Sequence, residues 1–228
     1  MRFAAIETSG EWCSVALWLD GDVVCAEQRA GVRHGEFALP MLQSLMQRHS
    51  VSRRALQAVA FGAGPGAFTG LRMACGLAQG IALGLDIPVL PISTLAALAE
   101  ESGATRVLTA LDARMQEVYF AAFERQDGQW RESIAAQCVP PRAVRLPEGT
   151  GWVGAGNGFA AYGEVLAARL GALMQHCNAL LHPSAAAIAR LAAPRLAAGE
   201  VIDAALAVPF YVRNKVALTR TEQAELRI

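Results

Sequence analysis

Hydrophobic and polar positions along the chain follow two periods, and each switch between them marks an element. Residues 3–7, 12–19 and 23–28 carry short apolar runs rich in β-formers, with Asp20-Gly21 as a hairpin turn between the last two. The chain is therefore predicted to open as a three-stranded meander. From Glu36 apolar residues recur at Phe37, Met41, Leu42, Leu45 and Met46, a helical stripe in which Pro40 lies in the first turn or causes a kink. Residues 56–61 read as a buried strand, residues 62–70 as a glycine-rich loop, and residues 71–85 as a buried helix of alanine, glycine and leucine. A strand over 88–92 and a helix from a Ser93 or Thr94 cap to Glu101 follow.

The pattern then repeats. Residues 106–112 form an apolar strand ending in a carboxylate, 117–123 a second strand, and Asp127-Gly128 another hairpin turn. Glu7 maps on Asp112, Trp12 to Trp18 on Glu117 to Phe123, and Asp20-Gly21 on Asp127-Gly128, an almost constant offset. A constant offset predicts two related lobes; the alternative is a chance likeness of two hairpins. Residues 151–156 read as a further strand, 159–170 and 183–198 as helices, and the tail from Val208 to Ile228 as short and more polar. The lobes are expected to divide into residues 1–103 and 104–228, each running three strands, helix, strand, helix.

The loop Gly62-Ala-Gly-Pro-Gly-Ala-Phe-Thr-Gly70 sits between a strand and a helix, where free N–H groups could face an anion. Its glycines permit close approach of backbone or ligand, and Thr69 is a candidate helix N-cap. A Walker A loop needs Gly-Lys-Ser/Thr, but Gly70 is followed by Leu71 and Arg72. A dinucleotide fingerprint fits only loosely, since Pro65 interrupts it and the next strand ends in Ser93 and Thr94 instead of an acid. Packing of a helix tightly on a sheet is the other reading of the same glycines.

Composition narrows the function classes. A hydrophobic fraction of 54% with 18% charged residues argues for a folded globule. The formal net charge of 0, with Lys215 the one lysine among 20 basic residues, gives no polybasic surface for direct nucleic-acid binding. Cys13, Cys25, Cys75, Cys138 and Cys177 form no Cys-x-x-Cys pair and are expected to be reduced, buried thiols. No signal-like apolar start is visible, and Arg72 and Asp86 bracket the longest apolar run, so the expectation is a soluble cytoplasmic protein with no membrane partner. The four histidines, His34, His49, His176 and His182, are scattered, with no metal-ligating spacing and no His-Glu-x-x-His. Ser9, Ser14 and Ser93 lack a nucleophile elbow. His34, at a helix start, reads as a capping or partner-contact residue or as a general base. Asp112 and Glu117 read as an acid/base pair or as solvated edge charges, and Arg72 and Arg114 as phosphate ligands or carboxylate partners.

Gly64-Pro-Gly-Ala-Phe-Thr-Gly-Leu-Arg72, with Ile6-Glu-Thr-Ser9, His34-Gly-Glu36, Leu39-Pro-Met41, Leu111 to Tyr119 and Tyr211-Val-Arg213, resembles the TsaB family. These landmarks occur in order over nearly the whole chain. The resemblance implies an α/β, duplicated actin-like or sugar-kinase-like ATPase fold. It also implies an accessory role in installing threonylcarbamoyladenosine on tRNA, beside a homologous catalytic subunit, TsaD, and a small ATPase, TsaE, with homodimers as a second assembly. tRNA would be met only through the complex. In that fold the strand-end carboxylates approach nucleotide phosphates, so Glu7, Thr8 and Asp112 are the candidates for a weak ATP or ADP site with magnesium at a partner interface. No cofactor is expected to be required. TsaD holds its catalytic metal with a His-x-x-x-His pair whose positions are taken here by Thr94 and Leu98, so no metal and no catalytic residue is expected. An independent actin-fold ATPase or small-molecule kinase is the alternative.

Glycine recurs at Gly76, Gly80 and Gly84 within the helix, while Gly70, Ala74, Ala78 and Ala82 line an adjacent face. Helical glycine costs about 1 kcal/mol relative to alanine, so a packing demand is expected to offset it. Met73, Gly76, Leu77 and Gly80, joined by Met41 and Leu45, form the expected partner interface; packing on the protein's own sheet is the alternative.

Overall fold

β1 (Arg2–Glu7), β2 (Trp12–Leu19) and β3 (Asp22–Arg29) form the predicted meander in the computed structural model, which describes residues 1–213. β4 (Val59–Gly64) and β5 (Val89–Ser93) join parallel to β1, giving the sheet order β3-β2-β1-β4-β5. The second sheet is built from β6 (Arg106–Asp112), β7 (Val118–Gln126), β8 (Gln129–Val139), β9 (Trp152–Ala155) and β10 (Met174–Asn178). Its order, β8-β7-β6-β9-β10, and its strand directions repeat those of the first. The chain therefore has the duplicated α/β, actin-like fold. Both hairpins turn through residues at positive φ, Asp20 and Gly21 in one and Asp127 and Gly128 in the other, as a right-twisted two-residue turn requires.

Each sheet is covered on two faces because its strands alternate large apolar side chains to both sides. Ala4 and Ile6 of β1 face α1 (His34–Arg48) and α2 (Phe68–Leu85), while Phe3 and Ala5 face α6 (Ala185–Ala197). In the second sheet Phe120 and Ala122 of β7 face α4 (Gly158–Ala161) and α5 (Gly163–Leu170), while Ala121 and Phe123 face α3 (Thr94–Glu101). Two helices thus cross over. α3 follows the first sheet and packs on β6 and β7; α6 follows the second sheet and packs on β1 to β5; the two also touch each other. Ser184 starts α6 with an Oγ that accepts from Ala187 N at 3.0 Å and donates to Glu101 at the end of α3 at 2.6 Å.

Several local expectations change. Thr69 lies inside α2, whose N-cap is Ala67. Of the two candidate caps of α3, Ser93 is the one used, accepting from Ala96 N at 3.3 Å. The helix expected over 159–170 breaks at Tyr162, and Pro40 sits beyond the first turn of α1. Cys13 and Cys75 are buried, but Cys25 and Cys177 are exposed, because edge strands β3 and β10 turn them outward. The tail expectation falls largely on residues 214–228, outside the described residues.

Candidate functional site

The glycine loop is packed against the end of β1. A Cβ added at Gly62 would stand 1.9 Å from Glu7 Oε2, at Gly66 2.6 Å from Ser9 Cβ, and at Gly70 2.0 Å from the Thr8 carbonyl. Real Cβ atoms do not come that close, so glycine is required at each position by the approach of residues 7–9. Hydrogen bonds seal the contact: Ala67 N donates to Ser9 O at 2.7 Å and Thr8 Oγ1 to Gly70 O at 2.8 Å. Glu7 is 1% exposed and Thr8 0%. Glu7 Oε1 accepts from Ser9 N at 2.5 Å while Oε2 is buried without a partner, and burial raises its pKa against the lowering pull of the Ser9 bonds. The same burial, with Glu7 nearby, pushes the Cys13 thiol up to about 11.

His34 opens α1 and is buried, with Nε2 3.0 Å from Gly10 O. Burial lowers its pKa, so the ring is neutral at pH 7; Nε2 then carries the proton it gives to Gly10, and Nδ1 is left without a partner. This is a tie between the β1 loop and α1. Thr94 and Leu98 are both fully buried, with Thr94 Oγ1 accepting from Gly64 N at 3.1 Å. Among the described residues no three His, Cys, Asp or Glu side chains converge as a metal site.

The second lobe carries the equivalent carboxylate more openly. Asp112 Oδ1 accepts from Arg114 N at 2.8 Å, two residues on, as Glu7 does from Ser9. It also accepts from Tyr162 OH at 3.1 Å, and Oδ2 pairs with Arg114 at 3.0 Å. Asn157 Oδ1 accepts from the Asp112 N–H at 2.9 Å. Glu117 is engaged elsewhere, with Arg213 at 2.5 Å, so Asp112 and Glu117 are separately paired edge charges. Arg72 lies over the Phe68 ring at 3.9 Å and donates to Tyr211 OH at 3.2 Å. Tyr162, Asn157 and Arg213 carry no local signal of these roles; each meets its partner across 45 residues or more of chain.

Between the lobes runs a cleft of about 960 Å³. Asp112, Arg114 and Tyr119 line one wall, Gly66, Phe68 and Trp12 the other. Trp12 stacks on His182 with ring centroids 4.5 Å apart. Glu7 and Thr8 are absent from the lining, so only Asp112 of the three nucleotide candidates reaches the cleft. A phosphate cradle needs free N–H groups and room above them. In the first lobe Ser9 O takes the Ala67 N–H, and Gly66 and Gly70 lie directly on Ser9 and Thr8.

α2 separates the two stripes cleanly. Gly70, Leu71, Ala74, Cys75, Ala78 and Ala82 are buried on the first sheet. Gly76, Gly80 and Gly84 face outward, and an added Cβ at any of them would meet nothing within 4 Å among the described residues. Met73, Leu77 and Met41 are half-buried beside them, whereas Leu45 is 3% exposed and belongs to the first lobe's core. The helical spacing that grouped Leu45 with Met41 does not separate the core side of α1 from its rim. α2 is also, by length and composition, long and apolar enough to cross a bilayer, with a mean hydropathy of 1.2, though one face is spent on the sheet.

Two lobes of one topology, welded by crossing helices around a cleft, make this an actin-like protein, and a family model described as TsaD, tRNA N6-adenosine threonylcarbamoyltransferase, matches residues 28–221. The tRNA threonylcarbamoyladenosine biosynthesis protein TsaB of Escherichia coli (strain K12) is 38% identical over 225 residues, covering 95% of this chain and 96% of that protein. Its namesake from Haemophilus influenzae is 35% identical over 229 residues, with 95% of each covered. The solved structure of YeaZ from Pseudomonas aeruginosa superposes with a TM-score of 0.86 at 39% identity, covering 92% of this chain and 99% of that one. The chain belongs to the TsaB family, which serves tRNA threonylcarbamoyladenosine biosynthesis.

Proposed function

We propose that the protein is a non-catalytic scaffold subunit in the modification of adenosine 37 of tRNA. It pairs with a TsaD-like catalytic subunit through the outward face of α2 and works beside a TsaE-like ATPase in the cytoplasm; the same face makes a homodimer when the partner is absent. tRNA is reached only through the complex. One observation carries this reading: a Cβ added at Gly76, Gly80 or Gly84 would meet nothing within 4 Å among the described residues. Each forgoes about 1 kcal/mol of helix stability that alanine would supply, and packing among the described residues does not call for it. A second helix approaching closely does, and Met73, Leu77 and Met41 beside the stripe offer an adaptable surface for both a copy and a homologue. The buried Thr94 and Leu98 support the absence of a catalytic metal from this subunit.

Gly80→Arg is expected to fold, because the position is open, and to abolish co-elution with the catalytic subunit. Unchanged co-elution of the folded variant removes α2 from the interface. On the same reading no cofactor is required, and ATP or ADP with magnesium binds weakly if at all, on the Asp112 side of the cleft where a partner completes the site. The alternative, an independent ATPase or small-molecule kinase, requires tight, saturable ATP binding to the isolated chain by calorimetry, with turnover lost in Asp112→Ala.

A further inference from the structure

Tyr211 and Arg213 belong to a segment that the scaffold role leaves without a task. That segment leaves the flank of α2, where Gln79 Nε2 donates to the carbonyls of Ala204 at 3.1 Å and Ala207 at 3.2 Å. It then crosses the glycine loop. Phe210 N donates to Ala63 O at 2.6 Å, and the missing Cβ of Gly64 leaves room for Phe210 O, which lies 2.5 Å from where that Cβ would stand. Tyr211 stays with the first lobe, its hydroxyl accepting from Arg72 and its ring 5.5 Å from that of Phe68.

Two residues on, the side chain of Arg213 is in the second lobe. Its Nη2 donates to Glu117 Oε2 at 2.5 Å, to Ala113 O at 2.9 Å and to Arg114 O at 3.5 Å, and Nη1 lies 3.8 Å from Met115 Sδ. The Arg213 side chain is 15% exposed. What it grips is unusual: Arg114, Met115 and Gln116 are three consecutive non-glycine residues at φ of 61°, 51° and 60°. L residues avoid this region, and a run of them persists only where the surroundings over-determine it. Arg213 supplies carbonyl acceptors' partners from one side, and Asp112 holds the Arg114 N–H from the other.

We propose that residues 208–213 are an inter-lobe clasp. Tyr211 and Phe210 anchor it on the glycine loop and α2, Arg213 anchors it on the left-handed turn, and together they set the opening of the cleft and hold the turn that presents Arg114 and Met115 at its edge. The clasp does not depend on which partner meets α2.

Hydrogen exchange on the full chain tests it, with Arg213→Ala, Glu117→Gln and Tyr211→Phe compared with the wild type. If the clasp couples the lobes, Arg213→Ala accelerates exchange about tenfold or more both at residues 113–118 and at Phe210 and Gly64 in the first lobe, since a charged hydrogen-bond set is removed. Glu117→Gln gives a smaller rise at the same two places, and Tyr211→Phe affects Phe210 and Gly64 alone. Should Arg213→Ala unfold the chain, Glu117→Gln decides by the same pair of readouts. Acceleration confined to residues 113–118, or none at either place, overturns the proposal.

Discussion

A methyl group added at Gly62 or Gly70 would collide with Glu7 or Thr8, while one added at Gly76 or Gly80 would touch none of the described residues. Gly62→Ala is therefore expected to lower unfolding stability by about 1–3 kcal/mol through overpacking, and Gly76→Ala to raise it by about 0.5–1 kcal/mol through helix propensity. Urea denaturation of both variants checks the opposite signs. Glu7 makes a pH-dependent prediction of its own. Its folded pKa lies above the ordinary 4.5 because burial favours the neutral acid. Stability from that neutral form is fully present below 4.5 and is lost as pH rises through the folded value. Glu7→Gln stays neutral throughout, so the wild type should lose stability relative to the variant as pH is raised from 4.5 toward 8; urea midpoints across that range that run in parallel would contradict it.

At the scale of elements, the strands and helices with a strong period were legible, and the reasons for the misses are physical. β10 went unpredicted because Met174–Asn178 is an edge strand with exposed Gln175, His176 and Asn178, which leaves no alternation to read. The break at Tyr162 falls just before Gly163, a glycine that the helical pattern ran through, and the hydroxyl of the tyrosine at the junction reaches Asp112. The two faces of α2 share one small-residue composition, so the sequence left open which stripe is buried, and only the sheet beneath it decides. α6 is the element whose place was least visible, since it covers a sheet more than 90 residues earlier in the chain. That placement predicts the behaviour of residues 1–103 expressed alone: without α6, Phe3, Leu90 and Ile92 face water. Burying each such side chain is worth about 1.5–3 kcal/mol, so the fragment should show no cooperative thermal transition by circular dichroism, whereas a sharp one would mean that the first lobe stands by itself.

In the whole molecule, the actin-like framework is retained and its first glycine loop is packed onto the end of β1. Glu7, Gly62, Gly66 and Gly70 bring the loop and the end of β1 into a close seam immediately before and within the first turn of α2. The likeness between the lobes was legible from the offset of Glu7 and Asp112, but their unequal exposure was not, because it depends on which residues cross the chain to meet them. The outward glycines of α2 are the feature that neither the fold nor the core explains, and the scaffold role rests on them. Reconstituted modification tests that role most directly: threonylcarbamoyladenosine formed on tRNA by the catalytic subunit and its ATPase is measured with wild-type protein and with Gly80→Arg. The account predicts that the folded variant supports less than about a tenth of the wild-type yield, as loss of a close-packed interface contact costing more than 1.4 kcal/mol would give. Full modification with Gly80→Arg would contradict it.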